Sequence, residues 1–275
     1  MISVVIPLYN KEASIKQSLM SVLSQSYQDF EVVIVDDGST DNSVAKVEEI
    51  QDSRIRLIRQ ENGGPSKARN TGVKHARGEW IVLLDADDEL LPDALNIFSK
   101  AINDNSSVDI FDANKYILVG DTKTLGYHPV QGKIEKPFEE WFFGRISPGN
   151  GTSAFRRSFF MNYLFDEHIR RFEDAALLMK QLPFARVYSL KQPTMLFNRN
   201  FAEASHPRKN VQEDYFAYLD FSKGGFWQRM CTYRLFLENR ELYPEFGKSH
   251  YAKMYKRYDW LLVCKLLNWF GKYFK

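Results

Sequence analysis

Carboxylates are concentrated directly after two apolar segments in the first hundred residues. The first segment ends in Asp36-Asp37, and the second ends in Asp85-Ala86-Asp87-Asp88. Three carboxylates within four residues repel one another strongly unless a cation lies among them. Mg²⁺ and Mn²⁺ prefer such oxygen ligands and usually take one or two protein carboxylates and further oxygens from phosphates. The second acidic run therefore indicates a divalent metal site, with a solvated acidic turn before Pro92 as the alternative.

Two glycine turns offer contacts for a nucleotide. Asp37 precedes Gly38-Ser39, and a carboxylate at a strand end can accept hydrogen bonds from a base or a ribose. The alternative is that these side chains only cap the following helix. The second turn, Asn62-Gly63-Gly64, leads into a helix that carries Arg69, where backbone N–H groups and a guanidinium can meet an anion.

A further acidic pair, Glu173-Asp174, stands at the start of an amphipathic segment that continues to Leu182. The helix dipole favours acidic residues in a first turn, which is one explanation of the pair. The other is a general base close to the ligand end of the sheet. The residues alone leave both explanations open.

The elements that must position these residues alternate as in an α/β sheet. Four apolar segments predict buried strands at 3–7, 30–35, 55–58 and 80–84. Periodic apolar residues predict helices at about 11–26, 40–51, 65–76 and from 92 onward. Such a series forms a parallel sheet with right-handed crossovers, and its ligands bind beyond the carboxyl ends of the strands. Both acidic runs lie there.

The pattern becomes mixed beyond residue 105. The pattern predicts strands at 108–119 and 187–198 and a hairpin or excursion at 125–132. It predicts a short aromatic helix at 138–143 and helix from about 207 onward. We predict a catalytic domain at 1–205, with halves at 1–105 and 106–205, and a helical C-terminal extension at 206–275.

The composition excludes several classes of protein. With 275 residues, 44% hydrophobic and 26% charged residues and a formal charge of +2, the chain is neither disordered nor collagen-like. Its two cysteines, Cys231 and Cys264, indicate free thiols in a reducing compartment. The patterns of dinucleotide-binding and P-loop proteins do not occur. With no secretion signal at the N-terminus and no apolar run of roughly 18 residues, we expect a soluble or peripheral intracellular protein.

The last thirty residues, 246–275, differ from the rest because they carry a net charge of +6. Trp260, Val263, Leu267 and Phe270 recur among them at helical spacing. The cations that could contact lipid headgroups are Lys253, Lys256, Arg257 and Lys272. Interfacial helices that bind anionic lipid have this composition. The alternative is a helix packed on the catalytic domain or on a dimer partner.

Five motifs, taken in order, resemble those of family 2 glycosyltransferases with the GT-A fold. They are Pro7-Leu8-Tyr9-Asn10, Asp36-Asp37-Gly38-Ser39, Ala68-Arg69-Asn70-Thr71-Gly72, Leu84-Asp85-Ala86-Asp87-Asp88 and Glu173-Asp174. The match in order and spacing covers roughly residues 1–205. The resemblance implies a Rossmann-like, mostly parallel central sheet flanked by helices, with a nucleotide-binding half (1–105) and an acceptor-side half (106–205).

The resemblance also implies a role for each matched position. Asp87 would bind Mn²⁺ or Mg²⁺, and Asp174, supported by Glu173, would be the catalytic base. The other matched positions would contact the nucleotide: Pro7, Tyr9, Asp37, Asn62, Arg69, Asp85 and, in the looser late part of the pattern, Arg199 and Ser205. His206 follows them and is either a further contact or structural.

The activity so implied is metal-dependent, inverting transfer of a sugar from a nucleotide-sugar, by resemblance a UDP-sugar. The acceptor would be a hydroxyl of a glycan or lipid-linked glycan in cell-surface polysaccharide synthesis, and the protein would be cytoplasmic or peripheral on the inner face of the membrane. No nucleic acid is expected as a partner. Trp141, Phe142, Phe143 and Arg145 either line the acceptor cleft or belong to the core.

Two other functions are weighed against this one. A nucleotidyltransferase on a similar sheet would want a glycine-rich phosphate loop after the first strand, which the sequence does not supply. A non-catalytic nucleotide-sugar-binding protein would need neither Asp87 nor Asp174.

Overall fold

The computed structural model describes residues 1–127, 129–200, 213–239 and 263–267. The strands in these ranges are β1 Ile2–Leu8, β2 Phe30–Asp36, β3 Ile55–Arg59, β4 Trp80–Leu83, β5 Glu89–Leu90, β6 Ile110–Val119, β7 Thr122–Leu125, β8 Gly132–Ile134, β9 Ser153–Arg156 and β10 Val187–Asn198. The helices are α1 Ile15–Leu23, α2 Ser43–Glu48, α3 Pro65–His75, α4 Ala94–Asp104, α5 Pro137–Phe142, α6 Arg157–Phe160, α7 Glu173–Gln181 and α8 Phe226–Asn239. A 3-10 helix spans Tyr215–Tyr218.

All the strands belong to one sheet, in the order β3-β2-β1-β4-β9-β6-β10-β5, with β7 beside β6 and β8 beside β10. The first four are parallel, as predicted from the alternation of strands and helices. Beyond β4 the sheet is mixed, because β9 runs antiparallel to both β4 and β6 while β6 and β10 are parallel. The α/β fold with a central sheet is confirmed.

Successive side chains of the parallel strands enter two separate cores, one on each face of the sheet. Val4 lies in the core that α1 and α4 cover, and Val5 lies in the core that α3 and α7 cover. This is the two-sided burial predicted for the segments that form β1, β2 and β4. The prediction is wrong for β3, which lies at the edge of the sheet and is only half-buried. A glycine is needed at position 72 of α3, since a Cβ there would clash with Val5.

The first helix begins later than predicted. The sequence pattern favours helix from about Lys11, whereas α1 begins at Ile15. The backbone N–H of Lys11 donates to Ser43 Oγ at 2.7 Å, and that of Glu12 donates to Asp41 Oδ2 at 3.0 Å. These long-range bonds hold the chain after β1 against the start of α2 and so delay the helix.

Strand β9 does not have a recognisable pattern in the sequence. It has four residues, and its position follows from pairing with β4 on one side and β6 on the other. Strand β5, with only two residues, is equally short and pairs with β10. Short strands of this kind are fixed by tertiary pairing rather than by local preference.

The described part of the C-terminal extension packs on the catalytic domain. Helix α8 lies against α5, and a third core forms around Phe142, Met230 and Phe236. In 263–267, Cys264 is buried in this core while Val263 and Leu266 are exposed. The rest of the predicted interfacial stretch lies outside the described residues. No helix in the described part of the chain is long and apolar enough to span a membrane.

Candidate active site

The carboxylate of Asp37 organises the glycine turn at 62–64. It accepts hydrogen bonds from Gln60 Nε2 at 2.7 Å, from the Gly63 N–H at 2.9 Å and from the Gly64 N–H at 2.8 Å. Gly64 has a φ of +88°, a conformation that favours glycine. Asp37 is buried and Asn62 is exposed beside the turn, so Asp37 shapes the loop that presents Asn62.

The end of β1 is joined to the neighbouring turn by Asn10. This residue has a φ of +49°, its Oδ1 accepts from the Thr40 N–H at 2.8 Å, and its own N–H donates to Ser39 Oγ at 3.1 Å. The bonds place Tyr9, which is 38% exposed, at the mouth of the site beside the half-buried Pro7. Such an exposed ring is available for stacking.

Arg69 connects the two predicted halves of the domain. Its Nη2 donates to Asp85 Oδ1 at 2.8 Å, and its Nη1 donates to Glu173 Oε1 at 2.9 Å. The guanidinium also lies 5.4 Å from the centroid of the Phe165 ring. Burial lowers the pKa of Arg69, but the two carboxylates outweigh it and hold the pKa above its ordinary value. The cation therefore stays charged in a buried position between β4 and α7.

Asp85 has a second partner from the other half of the domain. Asn150 Nδ2 donates to its Oδ2 at 3.0 Å, so both carboxylate oxygens accept hydrogen bonds. Burial raises the pKa of Asp85, but Arg69 more than offsets this and keeps it below the ordinary value. Arg69 Nε and Asn150 Oδ1 are buried without a hydrogen-bond partner in the described part of the chain.

Asp87 and Asp88 have different environments although they are adjacent. Asp87 Oδ2 pairs with Lys11 Nζ at 2.9 Å, and both side chains keep about a fifth of their surface exposed, 20% and 22%. Asp88 is buried, and its Oδ1 accepts from the Asn198 N–H at 3.1 Å. Burial and the charges of Asp85 and Asp87 raise the pKa of Asp88 to about 8.

The donor set agrees with a metal that is held partly by phosphate. No three His, Cys, Asp or Glu side chains within the described ranges converge as a ready-made cage for an ion. Of the three carboxylates after β4, Asp85 is held by Arg69 and Asn150 and Asp88 is buried, whereas Asp87 is partly exposed and its cationic partner is a flexible lysine. One or two carboxylates completed by phosphate oxygens are the usual arrangement for Mg²⁺. Asp87 therefore fits the ion predicted for it.

Asp174 lies at the start of α7, directly after an unusual backbone position. Phe172 has a φ of +56°, a left-handed conformation that non-glycine residues seldom adopt and that is common at functional sites. Burial, together with the charges of Glu173 and Asp85, raises the pKa of Asp174 to about 7. A carboxyl group with this pKa can accept a proton near neutral pH.

The late nucleotide positions are only partly described. Arg199 is exposed just after β10, and its guanidinium lies 5.8 Å from the centroid of the Phe197 ring. It follows Asn198, which contacts Asp88, so it stands at the edge of the acidic cluster. Ser205 and His206 lie outside the described residues.

Three polar residues of the site were not predicted: Lys11, Asn150 and Lys115. Lys11 directly follows the Tyr9-Asn10 motif, so its position offered a signal. Lys115 is close enough to Asp88, Asp112 and Asp174 to lower the pKa of each, although other effects raise all three overall. Neither it nor Asn150 lies in a motif, and only the pairing of β6 and β9 with their neighbours brings them to the site.

Comparison with known families shows to which family the chain belongs. Residues 3–164, more than half of the chain, match the model of Glycosyl transferase family 2. The chain belongs to this family. Membership confirms the resemblance seen in the five motifs and does not support a nucleotidyltransferase.

Individual relatives agree with the family. An uncharacterised glycosyltransferase of Rickettsia felis is 34% identical over 187 residues, covering 64% of this chain and 29% of that protein. The Escherichia coli glucosyltransferase WfgD, which transfers from UDP-Glc to α-D-GlcNAc-diphosphoundecaprenol, is 36% identical over 136 residues, covering 49% of this chain and 53% of WfgD. The match thus spans about half of WfgD and less than a third of the Rickettsia protein.

The fold also matches a solved glycosyltransferase structure. S. aureus TarS 1-349 in complex with UDP-GlcNAc aligns with a TM-score of 0.65 at 23% identity, over 85% of this chain and 64% of that one. At this identity the likeness establishes the fold alone.

Proposed function

We propose that this protein is a metal-dependent, inverting glycosyltransferase that moves a sugar from a nucleotide-sugar to an acceptor hydroxyl. The observation that carries the proposal is the double ion pair of Arg69, which joins Asp85 at the end of β4 to Glu173 at the start of α7. It brings the donor-side carboxylates and the base Asp174 to one edge of the sheet. Ligands of open α/β sheets bind at that edge.

The donor is proposed to be a UDP-sugar. The exposed Tyr9 and Asn62 stand on the two turns that Asn10 and Asp37 fix, which is a suitable frame for a base and a ribose. The use of UDP-Glc by WfgD supports a uridine nucleotide. The transferred sugar is proposed to be a hexose or an N-acetylhexosamine.

A divalent cation, Mn²⁺ or Mg²⁺, would be held by Asp87 and would neutralise charge on the leaving diphosphate. Asp87 must exchange its contact with Lys11 for the ion. Arg69 remains bound to Asp85 and Glu173 and keeps both carboxylates in place.

Asp174 is proposed to remove the proton from the acceptor hydroxyl, which attacks the anomeric carbon from the face opposite the diphosphate. An α-linked donor would then give a β-glycoside. The raised pKa of Asp174, about 7, suits this role because the carboxylate is a stronger base than an ordinary aspartate. Glu173 supports Asp174 through its negative charge.

The acceptor is proposed to be a glycan or lipid-linked glycan at the inner face of the cytoplasmic membrane. Support comes from the lipid-linked acceptor of WfgD and from the exposed Val263 and Leu266 beside Lys265 in the basic tail. A membrane contact through 246–275 predicts that the chain sediments with anionic vesicles and that a variant without these residues does not. Equal sedimentation of both would contradict the contact.

The proposed function is tested by calorimetric titration of UDP in Mn²⁺ and then in EDTA, followed by transfer assays with UDP-sugars. Asp87→Asn should abolish the metal-dependent part of the UDP affinity. Asp174→Asn should bind UDP normally and fail to transfer. If the unaltered chain binds UDP only with the metal but transfers sugar to no glycan, a nucleotide-sugar-binding protein would be favoured instead. An affinity for UDP that is the same in Mn²⁺ and in EDTA would refute the proposal that a divalent metal takes part in nucleotide binding.

A further inference from the structure

A cavity of about 260 Å³ lies between the β-sheet and the C-terminal extension, outside the donor site. Its walls come from β6, α5, α8 and the segments that follow β7 and α5. The side chains that matter for its chemistry are Lys115, Tyr127, Trp141, Cys231, Arg234 and Glu238. Two of the aromatic residues that the sequence left open, Trp141 and Phe142, line this cavity, whereas Phe143 and Arg145 are not among its lining residues.

Two lining residues connect the cavity to the segments of the proposed active site. Ser147 belongs to the same loop as Asn150, which donates to Asp85. Trp141 packs on the same core as Phe172, the residue directly before Glu173-Asp174. The cavity is therefore linked through shared packing to the segment that carries the proposed base and to the loop that contacts Asp85.

The polar and charged side chains of the cavity walls differ in whether they already have a partner in the protein. Arg234 already pairs with Glu238 at 2.7 Å and donates to the Phe142 carbonyl, and Tyr127 OH donates within the Asp112 and Ala113 network. Lys115, by contrast, has no carboxylate within ion-pair distance in the described part of the chain, and its ammonium lies 5.4 Å from the centroid of the Phe197 ring. It is therefore a hydrogen-bond donor available to a ligand.

We infer that this cavity binds one pyranose ring of the acceptor, with Trp141 providing an apolar wall and Lys115 donating to a ring hydroxyl. Ligand pockets commonly have volumes of roughly 300–1,000 Å³. This cavity, at about 260 Å³, is smaller than that range, so it suits a single sugar rather than a longer glycan. The exposed Glu238, at 45% side-chain exposure, marks the rim through which the rest of the acceptor would leave. The inference rests on the proposed function, because it assigns the acceptor end of that reaction.

The test is saturation-transfer NMR with three probes, in UDP and Mg²⁺. The probes are the methyl β-pyranosides of glucose, galactose and N-acetylglucosamine. At least one should receive saturation from the unaltered chain. Lys115→Met and Trp141→Leu should each reduce that signal at least about fivefold.

Matched controls remove a like side chain away from the cavity. Lys123→Met on β7 removes an exposed lysine, and Phe143→Leu removes an aromatic residue next to Trp141 that packs on Trp227 instead. Both should keep the saturation signal. No saturation of any probe, or equal signals in the cavity variants and their controls, would overturn the assignment.

Measuring UDP affinity on the same samples separates this inference from the proposed function. Normal UDP affinity with loss of the pyranoside signal supports the acceptor assignment. A fall in UDP affinity in Lys115→Met would place Lys115 in the donor site and overturn it. Failure of the unaltered chain to bind UDP would refute the proposed function itself.

Discussion

The ammonium of Lys11 lies 2.9 Å from Oδ2 of Asp87, so the carboxylate expected to hold a metal ion is paired with a cation of the protein itself. Lys11 follows β1 and Asp87 follows β4, two strands that are neighbours in the sheet. The pair balances one of the three charges in the acidic run. A metal ion held by Asp87 would therefore compete with Lys11 for the same oxygen.

Removing this competitor should strengthen metal binding before any nucleotide is present. Two unit charges about 4 Å apart interact by roughly 4 kcal/mol at a protein surface, and partial exposure reduces the effect. We therefore expect Lys11→Met to bind Mn²⁺ about tenfold more tightly than the unaltered chain in calorimetry without UDP. Lys16→Met is the control, since the one ion pair of Lys16 among the described residues is with the exposed Glu49 at 3.9 Å. Unchanged or weaker Mn²⁺ binding in Lys11→Met would disprove the competition.

Arg69 should be among the most destabilising residues to replace. Arg69→Met leaves Asp85 and Glu173 without their shared cation, and breaking a buried ion pair in this way costs about 3–5 kcal/mol. Urea unfolding measures the change. Arg59→Met, which breaks an ion pair between side chains more than half exposed, should cost less than about 1 kcal/mol. Similar losses for both variants would show that the double ion pair does not hold the domain halves together.

The rate of transfer should depend on the ionisation of Asp174. Its pKa is raised to about 7, so the active carboxylate form is lost as the pH falls below this value, and kcat/KM should drop about tenfold per pH unit there. Because the charge of Glu173 contributes to the shift, Glu173→Gln should move the profile to lower pH. Asp174→Asn should lower kcat at least about a hundredfold and leave UDP affinity unchanged. If kcat/KM of Glu173→Gln depends on pH in the same way as that of the unaltered chain, the charge of Glu173 does not raise the pKa of Asp174.

Stability should fall as the pH rises because of Asp112. This carboxyl is fully buried on β6, and burial raises its pKa from 3.8 to about 7. The folded state then binds more protons than the unfolded state between these values, so the contribution is present at low pH and is lost as the pH rises through 7. Asp112→Asn should flatten the pH dependence of the unfolding free energy between pH 5 and 7 by more than about 1 kcal/mol.

Asp109→Asn provides the control for this measurement. Burial raises the pKa of Asp109, but its bonds to Arg186 outweigh this and keep the pKa below the ordinary value, so it does not titrate in this range. Between pH 5 and 7, the unfolding free energy of Asp109→Asn should change with pH as much as that of the unaltered chain. Parallel curves for Asp112→Asn and Asp109→Asn would count against an unusual pKa at Asp112.

The parallel half of the fold was predictable because each of its elements has a strong local pattern. The segments that became β1 to β4 are mostly apolar, although Arg56 interrupts β3, and a helical pattern follows each of them. Residues at the strand ends could therefore be placed at one edge of the sheet before their contacts were known. Strands β5 and β9 could not be predicted, since two and four residues carry too little pattern and depend on their partners.

The sequence by itself determined the family, the parallel sheet and the carboxylates that belong to the site, because these follow from motifs and from local periodicity. Only the tertiary structure decided which charges meet. Lys11 at Asp87, Arg69 between Asp85 and Glu173, and Asn150 at Asp85 all join residues more than ten positions apart. The same holds for the cavity, whose walls come from segments far apart in the chain, from Lys115 on β6 to Glu238 on α8. The reason is physical: strand pairing and packing set the distance between such groups, and the balance of burial and charge that fixes a pKa depends on that distance.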